Sequence, residues 1–164
     1  MKEILGDNIL RQITYEDLEK FKYLDAILKE STRILPLVPL MPRISTEERI
    51  PLLGTPIQIS MFIVKNSQIT WYLGDPNQFI PEIFLKRSNN EIVKNSYIPF
   101  GGGIRICPGK NMAMVELKTL LILLFRKYDV KLVDEVSEKP KTKYLILYNC
   151  TDLKVIVRPR GINV

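Results

Sequence analysis

The sequence predicts a mainly α chain with small β-sheets, an α+β architecture. Two observations carry this. Apolar residues recur at helical spacing over Leu18–Leu28 and again over Ala113–Leu124. Short alternating runs bounded by Gly and Pro occupy much of the rest. With 164 residues, 46% of them hydrophobic, the chain can bury a core, and no linker divides it into two domains.

Taken in order, Thr14 and Asp17 form a capping box with Asp in place of Glu, which opens a helix. Leu18, Phe21, Leu24 or Asp25, and Leu28 line its apolar face, while Glu16, Lys20 and Lys22 are left for solvent. This helix must end by Pro36. Pro36, Pro39 and Pro42 recur every third residue and favour an extended, polyproline-like passage. Ile44–Ile50 and Pro56–Val64 read as strands around Leu53-Gly54-Thr55, the second with Ile57, Ile59, Met61 and Ile63 in alternation. From Lys65 to Pro99 the chain is mixed, with turns at Gly74-Asp75-Pro76 and Ser88-Asn89-Asn90. Gly101-Gly102-Gly103 and Cys107-Pro108-Gly109 lead into a strong helix. Its stripe is Ala113, Leu117, Leu120, Leu121 and Leu124, with Lys110, Lys118, Arg126 and Lys127 outside it. Tyr144–Tyr148 and Leu153–Val157 read as a hairpin across Cys150-Thr151-Asp152.

The composition excludes much chemistry. There is no histidine, so Ser-His-Asp and Cys-His hydrolases are ruled out and the commonest metal ligand is missing. Two cysteines cannot build a four-cysteine zinc site or a disulfide scaffold. A net charge of +6 can mean nucleic acid, an anionic membrane surface or an acidic protein partner. It is spread without a Lys/Arg run, which puts a solvated surface ahead of these, and no nucleic-acid partner is expected. The opening MKEILGDNIL lacks the apolar core of a signal peptide, and Leu120–Phe125 is far too short for a membrane span.

The informative segment is Phe100-Gly101-Gly102-Gly103-Ile104-Arg105-Ile106-Cys107-Pro108-Gly109. A thiolate that ligates an iron porphyrin must be kept deprotonated, and Cys107 sits just before a helix whose N-terminal dipole favours negative charge. Its donor strength is set by hydrogen bonds to the sulfur. A flat macrocycle passing close to the main chain favours Gly101, Gly102, Gly103 and Gly109. Arg105 is placed to hold an acidic propionate, and Phe100 to keep water off the sulfur. A Gly-rich turn with a buried structural cysteine is the plain alternative. The full pattern F-G-x-G-x-R-x-C-x-G arises by chance at fewer than roughly one in 10⁷ positions.

The segment resembles the heme-thiolate loop of the cytochrome P-450 family, with Cys107 matching the proximal iron ligand and Lys110–Lys127 the helix behind the heme. Glu30-Ser31-Thr32-Arg33 resembles the family's Glu-x-x-Arg signature, whose i, i+3 spacing puts both charges on one helix face. Arg43 falls where many members place a second propionate-binding cation, its plain alternative being a surface arginine. Phe79-Ile80-Pro81-Glu82-Ile83-Phe84 is similar to a third signature but departs from it, because Ile83 stands where the family has an arginine that completes a triad with the Glu-x-x-Arg pair. Losing one member of such a network leaves the others short of a partner, which Lys86 or Arg87 would have to replace. Trp71 is read as structural, and Cys150 has no assigned role.

The resemblance implies that residues 1–164 are the C-terminal, heme-binding part of a cytochrome P-450 domain, without the distal helix and its catalytic residues. It implies a heme (iron protoporphyrin IX) monooxygenase that takes electrons from a flavin or iron–sulfur reductase and inserts one oxygen atom from O₂ into a small organic substrate. Full-length eukaryotic members sit on the endoplasmic reticulum membrane, whereas other members are cytoplasmic. The alternatives are a truncated, catalytically inactive fragment and a non-catalytic heme-binding protein.

Overall fold

In a computed structural model, which describes residues 2–6, 8, 11–38, 40–44, 56–60, 75–86, 97–133, 142–144, 147–151 and 153–160, the first long helical stretch begins where its capping residues place it. Thr14 Oγ1 accepts the Asp17 N–H at 3.4 Å, and the Asp17 carboxylate accepts the Thr14 N–H at 3.1 Å. That box opens α2 (Tyr15–Lys20), which follows a short α1 (Lys2–Leu5). The single helix expected up to Pro36 is instead two. Phe21 leaves helical geometry at φ −80°, ψ 60°, and α3 (Lys22–Ile34) starts after it. Phe21 is buried with Leu5, Leu18 and Ile122, and seating an aromatic ring in the core outweighs the interrupted helical hydrogen bonding. α3 stops before Pro36, with the Leu35 N–H on Ser31 O at 2.9 Å.

β1 (Leu40–Ile44) pairs antiparallel with β2 (Pro56–Ser60), Met41 opposite Ile59 and Ile44 opposite Pro56. β1 therefore begins inside the expected polyproline-like passage and contains Pro42, which a ribbon of two strands among the described residues tolerates. The rest of the expected first strand, its turn at Leu53-Gly54-Thr55, the end of the second strand, Trp71 and the turn at Ser88-Asn89-Asn90 lie outside the described residues. The turn at Asp75 is present. Its carboxylate accepts the Asn77 N–H at 2.9 Å, its carbonyl accepts the Gln78 N–H at 3.2 Å, and α4 (Ile83–Lys86) follows.

The long helix α5 (Lys110–Lys127) has the expected bounds but is turned over. Ile122 is fully buried and Arg126 is buried, with Val115 packed beside them, whereas Leu117 and Leu120 of the expected stripe are 39% and 64% exposed. α5 carries two apolar faces half a turn apart, and the partner decides between them. The core of Leu5, Leu18, Phe21 and Ile122 takes one face. Arg126, expected outside, donates to the carbonyls of Asn8 and Arg11, the latter at 2.8 Å. Its guanidinium thereby satisfies carbonyls that helical bonding leaves open near α1 and α2.

The expected C-terminal hairpin is also rearranged. β4 (Thr142–Tyr144) pairs with β5 (Tyr148–Cys150), so the reversal falls between Tyr144 and Tyr148, and Cys150 ends a strand. β6 (Val155–Pro159) pairs instead with β3 (Tyr128–Leu132), which continues directly from α5. The Arg160 N–H donates to Lys127 O at 2.8 Å, and its guanidinium meets Asp129 at 2.8 Å, locking that register. The alternation Tyr128, Val130, Leu132 was the overlooked strand signal.

The α2 cap gives stability a pH dependence. Arg11 at 2.8 Å and the Thr14 N–H hold the Asp17 carboxyl down at about 2, against 3.8 ordinarily. A carboxyl depressed by folding stabilises fully above its unfolded value and loses that contribution as pH falls through its folded one. The thermal midpoint should therefore fall between pH 3.8 and about 2, and Asp17→Asn should flatten that limb of a midpoint-against-pH curve. At the core, Ile122→Ala should cost about 2–5 kcal/mol in urea unfolding.

Candidate cofactor site at the cysteine loop

Glu30 and Arg33 lie three residues apart on α3 and form a two-pronged pair, Arg33 Nε to Glu30 Oε2 at 2.7 Å and Nη2 to Oε1 at 2.8 Å. Their side chains are 0% and 1% exposed, so every further hydrogen bond must come from protein. The segment around the Asp75 turn provides them. Arg33 Nη1 donates to Pro76 O at 2.7 Å, Nη2 to Gln78 O at 3.0 Å, and the Ile80 N–H donates to Glu30 Oε1 at 2.8 Å. Among the described residues, backbone groups give partners to both members of the pair, and Ile83 is a buried apolar residue at the start of α4. The Lys86 side chain and Arg87 lie outside the described residues.

Two polar contacts fasten α3 further. The Tyr23 hydroxyl donates to Glu82 at 3.0 Å, and that bond raises the phenol above its usual value. Asp25 bridges Lys29 at 2.7 Å on its own helix and Lys118 at 2.8 Å on α5. Burial pushes the Asp25 carboxyl up, but hydrogen bonds from Lys118 and Lys29 outweigh it and hold it below the usual range. α3 is thereby tied to the helix that the cysteine loop opens.

The loop runs from Tyr97 to Gly109. The Gly101 N–H donates to Ile98 O and the Cys107 N–H to Phe100 O, both at 2.9 Å, around a 3₁₀ turn at Gly103–Arg105. Gly101 and Gly103 lie at φ +78° and +67°, the left-handed region that favours glycine. A Cβ on Gly101 would lie 3.5 Å from Met41 Sδ and 3.7 Å from Arg43 Nη2, so β1 runs against the loop at this point. The spaces above Gly102 and Gly103 are open. Gly109 brings its Cα side against the sulfur, since a Cβ there would stand 3.8 Å from Cys107 Sγ.

Cys107 is a free, exposed thiol three residues before α5 begins at Lys110. Arg105 is exposed on the same turn, Phe100 is half-buried, and Arg43 is half-buried beside Gly101 with Nη1 on Pro42 O at 2.8 Å. Phe100, Gly101, Gly103, Arg105, Cys107 and Gly109 come together by chain continuity, and β1 delivers Arg43 to the same loop. Sequence reasoning missed Met41, Thr32, Tyr97 and the carbonyls of Pro76 and Gln78. Backbone partners leave no residue-type signal. Among the described residues no three His, Cys, Asp or Glu side chains gather to cage a bare ion. A thiol on a loop that carries Arg105 and open glycines and meets Arg43 suits a metal carried in a flat, acid-bearing macrocycle.

The sequence profile described as Cytochrome P450 matches residues 1–156. Cytochrome P450 4p1 of Drosophila melanogaster is 34% identical over 134 residues, which are 76% of this chain and 25% of that protein. Cytochrome P450 4V2 of Rattus norvegicus is 35% identical over 72% of this chain and 23% of its own length. The tabersonine/lochnericine 19-hydroxylase of Catharanthus roseus is 36% identical over 84% and 28%. The chain thus spans about a quarter of the length of the curated relatives it matches.

Because the buried pair is complete without an arginine at position 83, restoring one should not help. Ile83→Arg should lower the midpoint of chemical unfolding by introducing a buried charge whose acceptors are taken; a rise would show the network to be short. Arg33→Ala, which strands the Glu30 carboxylate, should cost about 3–5 kcal/mol in the same measurement.

Proposed function

The chain belongs to the cytochrome P450 family, and from that premise we propose that residues 1–164 are the C-terminal heme-binding part of a heme-thiolate monooxygenase. Cys107 would be the axial ligand of the iron, and the observation that carries the reading is its place as an exposed thiol between positive-φ glycines and the start of α5.

The residues present fit the group. Cys107 stands just ahead of the N-terminal turn of α5, and Gly109 leaves its sulfur unobstructed. Arg105 and Arg43 would hold the two propionates, which a guanidinium binds in two-pronged fashion. Open space above Gly102 and Gly103 admits a flat ring close to the main chain. Phe100 would shield the sulfur from water, and Glu30 with Arg33 would keep α3 and the segment over it in place behind the site. Heme, when bound, supplies the activation of O₂ with two electrons from a flavin or iron–sulfur reductase and the insertion of one oxygen atom into a small organic substrate. A 19-hydroxylase among the relatives is in keeping with that chemistry. The net charge of +6 suits docking of an acidic reductase.

Leu117 and Leu120 on the outer face of α5 are exposed, an apolar surface that supports a place inside a larger domain. Among the described residues no helix is long and apolar enough to cross a membrane. Exposure of Cys107, Ile104 and Ile106 favours a second reading for the chain by itself: a non-catalytic heme binder or an inactive fragment.

One spectrum separates a formed heme-thiolate site from an inactive fragment. The protein incubated with heme, reduced under carbon monoxide, should show the red-shifted Soret band of a thiolate-ligated iron. Cys107→Ala should abolish it and Cys150→Ala should leave it; a band surviving Cys107→Ala removes the ligand assignment. Absence of heme uptake by the unaltered chain supports the inactive fragment.

A further inference from the structure

Tyr97 stands at the entry to the cysteine loop and makes contacts that ligand binding does not require. Its hydroxyl lies 2.8 Å from Thr32 Oγ1, on the residue next to Arg33 in α3. Thr32 has one hydroxyl proton, and Oγ1 stands 2.9 Å from Lys29 O and 3.2 Å from Leu28 O. The two hydroxyls share one hydrogen bond, in which either oxygen can be the donor. Burial pushes the Tyr97 phenol up to about 12, with the Thr32 bond opposing and the Asp25 and Glu30 charges adding, which keeps the phenol protonated at neutral pH. The ring meets Phe84 of α4 with centroids 5.0 Å apart and planes tilted by 59°. Tyr97 therefore touches both α3 and α4.

Beyond Tyr97 the loop's own side chains give it little hold. Residues Gly102 to Pro108 are exposed, and Ile104 is fully so. Among the described residues the loop is held at its two ends, by α5 on one side and Tyr97 on the other, and where β1 meets it at Gly101. The path from Tyr97 to the sulfur is short and made of backbone bonds, Gly101 N–H to Ile98 O and Cys107 N–H to Phe100 O. With Ile83 apolar, Tyr97 supplies a polar link from α3 to this loop.

We propose that Tyr97 is a positioning residue for Cys107, fixing the register of the cysteine loop against α3 through its hydroxyl on Thr32 and its ring on Phe84. The inference deepens the heme-thiolate reading and rests on it only where heme is used as a probe.

Residue-resolved hydrogen exchange on the full chain tests it. Tyr97→Phe keeps the ring and removes the hydroxyl, and amide protection at Gly101 and Cys107 should fall about fivefold, the factor for one net hydrogen bond. Protection at Ile122, in the core beyond, should not change. Thr32→Val should give the same loss, the double variant no more than either single one, and Thr32→Ser, which keeps a hydroxyl, should restore protection. In heme-loaded protein, Tyr97→Phe and Thr32→Val should shift the Soret band of the carbon monoxide complex, and Thr32→Ser should not. Unchanged protection in Tyr97→Phe, or single effects that add in the double variant, overturns the proposal. If the unaltered chain takes up no heme, the heme reading fails and the exchange data still decide the positioning role. If heme binds and exchange is flat, the positioning role alone fails.

Discussion

Everything around the cysteine loop depends on one constraint: the buried charges of Glu30 and Arg33 must have all their hydrogen bonds made inside the protein. Two charges removed from water cost several kcal/mol each, and mutual attraction offsets that only when the remaining donors and acceptors are filled. The groups that fill them are 43 to 50 residues away in sequence, at Pro76, Gln78 and Ile80. The chain is therefore obliged to lay the Asp75 turn across α3. Once it does, Ile83 and Phe84 of α4 follow against the same helix, and Phe84 meets Tyr97 at the mouth of the loop. The ion pair fixes the elements on which the loop rests.

The loop itself has the opposite character. Its glycines at positive φ and its backbone hydrogen bonds hold a shape with few side-chain contacts, and the thiol is presented outward. A rigid support with an open surface is what a binding site for a large planar group requires. Asp25, shared between Lys29 and Lys118, joins that support to α5 and so to the residues that follow the cysteine.

Legibility followed the range of the interaction. The Thr14–Asp17 cap, the bounds of α5 and the loop motif were all readable because each is decided within a few residues by hydrogen bonding or backbone conformation. The break at Phe21 was not, since helical periodicity runs unbroken through it and only the core it enters explains it. The orientation of α5 was misjudged for a related reason: both of its faces are apolar, and the choice belongs to Leu5, Leu18 and the carbonyls that receive Arg126. The partners of β6 were misassigned because antiparallel pairing is a long-range choice, here settled by Arg160 at the end of α5.

By itself the sequence determined the family, the thiol at Cys107 and the glycines and cations around it, because ligand chemistry is set by residue type at fixed spacing. Only the tertiary structure decided how the departure at Ile83 is absorbed. The Ile80 N–H donates to Glu30 there and the Pro76 and Gln78 carbonyls accept from Arg33, and every residue carries such groups, so no pattern of letters announces which ones will serve.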